Sequence, residues 1–114
     1  MSLCIVANWK LNGSREFNHQ WALEFLKHFN GNNFSSVGIA PASLYIDHMK
    51  EILNDYEIKI GAQNIDFLET GGRTGEISAS MIKDLGCEFS IIGHSERRIL
   101  FDETRQIIRK KLIQ

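Results

Sequence analysis

The feature that most constrains this chain is a regular alternation of short apolar runs and longer amphipathic segments. The apolar runs lie at residues 4–7, 37–40, 58–62 and 89–92, and their length is typical of buried strands. A segment with helical character follows each run. This alternation predicts parallel strands joined by helical crossovers, because neighbouring parallel strands need a long connection.

The first helical segment has recognisable ends. Ser14 is a predicted N-cap, since its hydroxyl can accept a hydrogen bond from the first turn. Asn30 and Gly31 are predicted to end the same helix. Its apolar side repeats every four positions, as Phe17, Trp21, Phe25 and Phe29.

The later helical segments follow the same logic. Ser43 is predicted to cap a helix that runs to residue 53, and a helix over residues 77–85 is predicted to end at Gly86. Ser95 opens the last segment. A helical stripe then extends to the C-terminus, formed by Ile107, Ile108 and Leu112.

Two architectures agree with this pattern. One is a small doubly wound sheet. The other is half of a (β/α)8 barrel, whose usual size is about 250 residues. The chain has no linker, charge block or low-complexity tract, so we expect residues 1–114 to form a single domain unit.

The composition of the chain limits the classes of molecule that it is expected to bind. The 13 basic and 14 acidic residues give a net charge of −1, which argues against nucleic acid and anionic membranes as partners. Cys4 and Cys87 have no Cys or His at ligand spacing, so we expect two reduced core thiols and no metal site. The apolar run at residues 3–7 is too short for a signal peptide or a membrane span, and we expect a cytoplasmic protein.

Polar residues follow the first and third predicted strands. Period-two alternation places Asn8 and Lys10 on one side of the first strand, where they could face an anionic ligand. The alternative, which the strand by itself favours, is that Lys10 leaves the sheet for water. After the third strand, the amides of Gln63 and Asn64 can build a loop network.

His94 follows the fourth predicted strand and immediately precedes a predicted helix start. The partial positive charge of helix N-terminal amides disfavours an imidazolium, so the ring is expected to stay neutral. A neutral imidazole can donate a proton to an oxygen that gains negative charge. The alternative is a core histidine that is hydrogen-bonded to the backbone.

Five segments at these positions resemble the triosephosphate isomerase family, in its order and at its spacing. The resemblance extends over the whole chain. It implies a (β/α)8 TIM barrel, of which residues 1–114 cover about half, from the first strand to the fourth helix, as one partial domain. The five segments are Asn8-Trp9-Lys10-Leu11-Asn12-Gly13, Ala40-Pro41, Gly61-Ala62-Gln63-Asn64, Thr74-Gly75-Glu76-Ile77-Ser78 and Ile92-Gly93-His94-Ser95-Glu96-Arg97-Arg98.

The resemblance also implies an activity of glycolysis and gluconeogenesis, the interconversion of dihydroxyacetone phosphate and glyceraldehyde 3-phosphate through an enediolate. In this family a neutral histidine is the established electrophile, and the matching residue is His94. Lys10 would stabilise negative charge on the substrate, and Asn8 would line the substrate oxygen. Ser95 and Glu96 would support these groups, and no cofactor is implied.

Further structural roles are implied by the same resemblance. Arg97 and Glu103 match a family ion pair. Residues 64–75, called the arm below, resemble the segment through which the family forms homodimers. The arm's tip lies near Thr74, and Gln63 and Asn64 lie at its base. Arg73 departs from the pattern, because the family usually has an aromatic residue there.

The general-base glutamate, the flexible lid and the phosphate-binding glycines of the family have no counterpart in residues 101–114. We therefore expect residues 1–114 to be inactive alone and to expose two edge strands, the first and the fourth. Two alternatives stay open. One is a non-catalytic, self-assembling half-barrel or truncated gene product. The other is a different phosphate-binding enzyme that completes its sheet by dimerising.

Overall fold

The computed structural model describes residues 3–30 and 35–114. They form four strands and five α-helices, and a 3-10 turn at Ser43–Tyr45 leads into the second helix. The strands are β1 (Leu3–Asn8), β2 (Ser35–Ala40), β3 (Ile58–Ala62) and β4 (Phe89–Ser90). The helices are α1 (Arg15–His28), α2 (Ile46–Ile52), α3 (Ala79–Asp84), α4 (Ser95–Leu100) and α5 (Arg105–Leu112).

All strand pairs are parallel, and their spatial order is the chain order, β1-β2-β3-β4. A doubly wound sheet reverses its strand order at a switch point, and the described strands contain no such reversal. The four strands form a curled half-barrel with helices, as in the first half of a TIM barrel. The predicted fold class is therefore confirmed.

The core lies between the sheet and the helices α1, α2 and α3. Ile39 and Ile60 are register partners on β2 and β3, and both are almost fully buried. Met49 of α2 is fully buried, and Ile82 of α3 belongs to the same cluster. Burying one such side chain is worth about 1.5–3 kcal/mol, so this cluster fixes the position of β3 and the loop that follows it.

The first apolar run forms a strand as predicted, but the expectation that this strand is buried is wrong. Leu3, Ile5 and Val6 are each between two-fifths and three-fifths exposed, because β1 pairs only with β2 among the described residues. Cys4 is exposed for the same reason, so it is not a core thiol. Cys87 is partly buried, and burial raises the pKa of its thiol.

The start of α1 agrees with the sequence. Ser14 Oγ accepts a hydrogen bond from the Phe17 amide at 3.0 Å, which confirms the predicted N-cap. The helix itself ends at His28, and Gly31 of the predicted stop lies outside the described residues.

Later boundaries differ from the predictions. Ser43 does not cap α2, because the chain first makes a 3-10 turn and the helix begins only at Ile46. The last segment is broken between α4 and α5, where Asp102 adopts a φ of +52°. The predicted end at Gly86 is confirmed by its left-handed φ of +85°.

Within the described ranges, no helix combines the length and apolar content needed to cross a bilayer.

Candidate active site

A cleft of about 440 Å³ lies beside the residues that follow β1, β3 and β4. Most of the polar side chains predicted at these strand ends line it, namely Asn8, Lys10, Gln63, Asn64, His94 and Glu96. A larger aromatic groove of about 530 Å³ lies beside α1, but its lining contains no titratable side chain. We therefore place the candidate site in the cleft.

Lys10 reaches the cleft through its backbone conformation. β1 ends at Asn8, and Lys10 has a left-handed φ of +56°, so strand alternation does not explain why the two share a cleft. The turn is held instead by hydrogen bonds. The Lys10 amide donates to Asn8 Oδ1 at 3.0 Å, and Gln63 Nε2 donates to the Lys10 carbonyl at 2.9 Å. Gln63 also donates to the Ala40 carbonyl at 3.0 Å, so one amide ties together the ends of three strands.

The Lys10 ammonium lies 2.6 Å from Glu96 Oε1, and both side chains are about half exposed. This hydrogen bond from Lys10 lowers the pKa of the Glu96 carboxyl. The pair therefore holds a cation at the rim of the cleft while leaving it accessible to solvent.

His94 is the N-cap of α4, and its ring accepts a hydrogen bond at Nδ1 from the Glu96 amide at 3.1 Å. Nδ1 is also 3.7 Å from Glu96 Oε2, a separation too long for a hydrogen bond. An acceptor nitrogen carries no proton, so we assign the Nε2–H tautomer from this contact. Because Nδ1 accepts this hydrogen bond, Nε2 is the ring nitrogen that is left to donate.

Gly93 allows His94 to occupy this position. Its φ is +69°, and a Cβ there would lie 3.1 Å from the Ile108 side chain of α5. A larger residue would be strained in this conformation and would push α5 away from the strand end. Because Gly93 has no side chain, the start of α4 can lie close to Ile108 of α5.

Behind the cleft, Glu103 joins α4 to α5. Its Oε2 accepts from Arg97 Nε at 2.8 Å and from Lys111 Nζ at 2.7 Å. Lys111 Nζ also donates to Asn64 Oδ1 at 2.7 Å. Burial alone would raise the pKa of Glu103, but hydrogen bonds from Lys111 and Arg97 outweigh it, and the pKa is lowered.

The sequence did not predict a role for Lys111. It lies in a basic run, Arg109 to Lys111, which is typical of a solvated helix face. The available signal was its position, three and four residues after Ile108 and Ile107, on the side of the predicted apolar stripe. The lining of the cleft, in turn, does not include Ser95, which was predicted to support the site.

Known proteins match this chain over nearly its whole length. The sequence model of the family described as triosephosphate isomerase matches residues 3–114. Proteins named triosephosphate isomerase from Escherichia coli O1:K1 / APEC and from Shigella boydii serotype 18 are each 44% identical over 107 residues. Each alignment covers 94% of this chain and 42% of the relative. The chain therefore spans less than half the length of these curated relatives.

Proposed function

The chain belongs to the triosephosphate isomerase family, and on this premise we propose that residues 1–114 supply the electrophilic side of a site that interconverts dihydroxyacetone phosphate and glyceraldehyde 3-phosphate. The observation that carries the proposal is the shared cleft of Lys10 and His94, which arrive from opposite ends of the chain. A cation and a neutral N–H donor that face one cavity suit an anionic substrate whose carbonyl oxygen gains charge.

Lys10 is assigned to charge stabilisation. Its ammonium is compact, and about half of the side chain is exposed at the cleft. Glu96 keeps the ammonium oriented until a phosphorylated or enediolate substrate approaches it. Because Asn8 accepts from the Lys10 amide, Asn8 is assigned to shaping the turn as well as lining the substrate oxygen.

His94 is assigned as the proton-donating electrophile. Removal of a proton next to the substrate carbonyl leaves negative charge on the carbonyl oxygen, and a neutral Nε2–H can donate to that oxygen. The Glu96 amide at Nδ1 supports this tautomer before the substrate arrives. Preorganised donors of this kind contribute about 10²–10³-fold each to a rate.

The carboxylate base has no assigned residue among 1–114, and Glu96 is occupied by Lys10. We therefore assign the base, the lid and the phosphate-binding glycines to a segment outside these residues, which form one partial domain of the barrel. Turnover requires both parts. We extend the proposal to a homodimer joined through the arm, with no cofactor and a cytoplasmic location.

The test is complementation. Residues 1–114 are combined with the remaining segment of the Escherichia coli relative, and triose phosphate interconversion is assayed. We expect activity in the complex, and a loss of about 10²–10³-fold in kcat/KM for His94→Gln. His19→Gln, which changes an exposed histidine of α1, is the matched control and should leave the rate unchanged. A folded complex without activity, or equal rates for the two variants, would contradict the proposal.

A second candidate function rests on β1. Its exposed apolar side chains, and an edge that is unpaired among the described residues, suit a non-catalytic half-barrel that assembles with other copies. Gel filtration and circular dichroism of residues 1–114 distinguish the two candidates. A folded oligomer without activity after complementation would favour the scaffold, and a disordered monomer would exclude it.

A further inference from the structure

The arm forms a loop that closes on itself. At its neck, the Asp66 amide donates to the Ile77 carbonyl at 2.8 Å. At its far side, the Glu76 amide donates to the Arg73 carbonyl at 3.1 Å. Between these two backbone hydrogen bonds, most residues of the arm are exposed, so few apolar contacts hold its shape. Its shape must therefore depend on side chains.

Asp66 is the anchor of the loop. Its side chain is only 5% exposed, and a buried carboxylate requires several donors. It receives two from one guanidinium, with Arg73 Nε at 2.7 Å from Oδ2 and Nη2 at 2.8 Å from Oδ1. The Leu68 amide donates to Oδ2 as well, at 3.2 Å. This two-pronged geometry is the strongest that arginine and a carboxylate can form.

Phe67 links the same guanidinium to the body of the domain. Arg73 Cζ lies 4.7 Å from the centre of the Phe67 ring, and Lys110 Nζ of α5 lies 5.0 Å from it. Two cations are thus attracted to one ring. The next residue of α5, Lys111, holds Asn64 at the base of the arm.

We propose that Arg73 is an intrachain clasp, a positioning residue that sets the conformation of the arm through Asp66 and Phe67. Two nitrogens of its guanidinium, Nε and Nη2, are bound within its own chain. At this position the family usually has an aromatic residue, whereas here a guanidinium acts through two hydrogen bonds. One consequence rests on the proposed homodimer: a preorganised arm lowers the entropy cost of docking on a second copy.

The clasp is tested by hydrogen exchange of the full chain. Arg73→Ala should raise exchange at the Leu68 and Glu76 amides about tenfold, because both hydrogen bonds depend on the closed loop. Arg73→Lys should resemble Arg73→Ala, since lysine keeps the charge but lacks the fork. Asp66→Asn should give the same pattern, and the double variant Arg73→Ala/Asp66→Asn should be no worse than either. Arg109→Ala, which removes an exposed charge from α5, is the control.

Unchanged exchange in Arg73→Ala, or full protection in Arg73→Lys, would overturn the clasp. Circular dichroism of each variant confirms that the rest of the chain is folded. Sedimentation then measures self-association. Weaker association of Arg73→Ala supports the preorganisation of a docking arm. Raised exchange with unchanged association retains the clasp and counts against the proposed homodimer contact instead, so the two failures are distinguishable.

Discussion

Two lysine–glutamate pairs in this molecule have nearly the same length and opposite surroundings. Lys10 and Glu96 are 2.6 Å apart, with side chains that are 51% and 43% exposed. Lys111 and Glu103 are 2.7 Å apart, and both are 3% exposed. Distance therefore does not distinguish their roles. Burial does, because it decides whether water or a ligand can replace either partner.

In the buried pair, neither water nor a ligand can replace the partner of Lys111 or of Glu103. Glu103 Oε2 is shared by Lys111 and Arg97, and Lys111 is shared by Glu103 and Asn64. Each charge has lost its hydration, so removal of one partner leaves another uncompensated. This cluster joins the start of the arm to α4 and α5, and its role is structural.

The exposed pair can exchange partners. Solvent screening makes the net stability of such a pair small, so the chain loses little when Lys10 turns from Glu96 to a substrate oxygen. A functional cation needs this property. The comparison thus separates a lysine that holds the fold from one that is available to a ligand.

The largest effect is expected from breaking the buried pair. Lys111→Met should lower the free energy of unfolding by about 3–5 kcal/mol, because Glu103 remains buried with one cation fewer. Urea denaturation measures this change. Lys83→Met, at an exposed position on α3, is the control and should leave stability nearly unchanged. Similar values for the two variants would show that the buried pair contributes little.

The next effect falls on activity rather than stability. Lys10→Met should reduce kcat/KM for triose phosphate by about 10²–10³-fold in the complemented enzyme, because a charge-stabilising donor is lost. Its urea midpoint should match that of the parent chain. Retained activity, or a loss of stability comparable with that of Lys111→Met, would erase the distinction between the two pairs.

Acid should affect the buried pair through Glu103. Its pKa is lowered in the folded chain, so below the ordinary carboxyl value of about 4.3 the unfolded state binds more protons than the folded state. Its contribution is present above that pH and is lost as the pH falls through the lower folded value. Denaturation between pH 7 and pH 3 should show a flatter acid limb for Glu103→Gln than for the parent chain.

The smallest effect concerns the exposed carboxylate itself. Because Lys10 lowers the pKa of Glu96, Lys10→Met should return that pKa towards its ordinary value. High salt should produce a similar shift in the parent chain by screening the pair. Carboxyl chemical shifts followed by NMR over a pH titration measure both. An unchanged Glu96 titration would show that Lys10 is not its controlling partner.

Much of the fold follows from local pattern. The Ser14 cap and the left-handed Gly86 agree with the predictions because each depends on a few neighbouring residues. The break at Asp102 could not be predicted in this way. It lets the chain turn back so that Glu103 meets Arg97 and Lys111, which lie on different helices.

The candidate site, like the fold, could be predicted from the sequence only in part. The sequence placed Asn8, Lys10 and His94 at strand ends, and the structure brings all three to one cleft, because the carboxyl ends of parallel strands share one edge of a sheet. It could not identify Lys111 as a buried ammonium, and it gave an incorrect reason for the orientation of Lys10. Both depend on hydrogen bonds to Asn64 and Gln63, which are more than forty residues distant.

By itself, the sequence determined the order of strands and helices, the family, and the strand ends at which polar residues are concentrated. These properties arise from backbone periodicity and local motifs, which act over a few residues. Only the tertiary structure decided which of two similar lysine–glutamate pairs is buried, and that Arg73 binds within its own arm. Burial and long-range contacts depend on how elements pack against one another, and no local pattern contains that information.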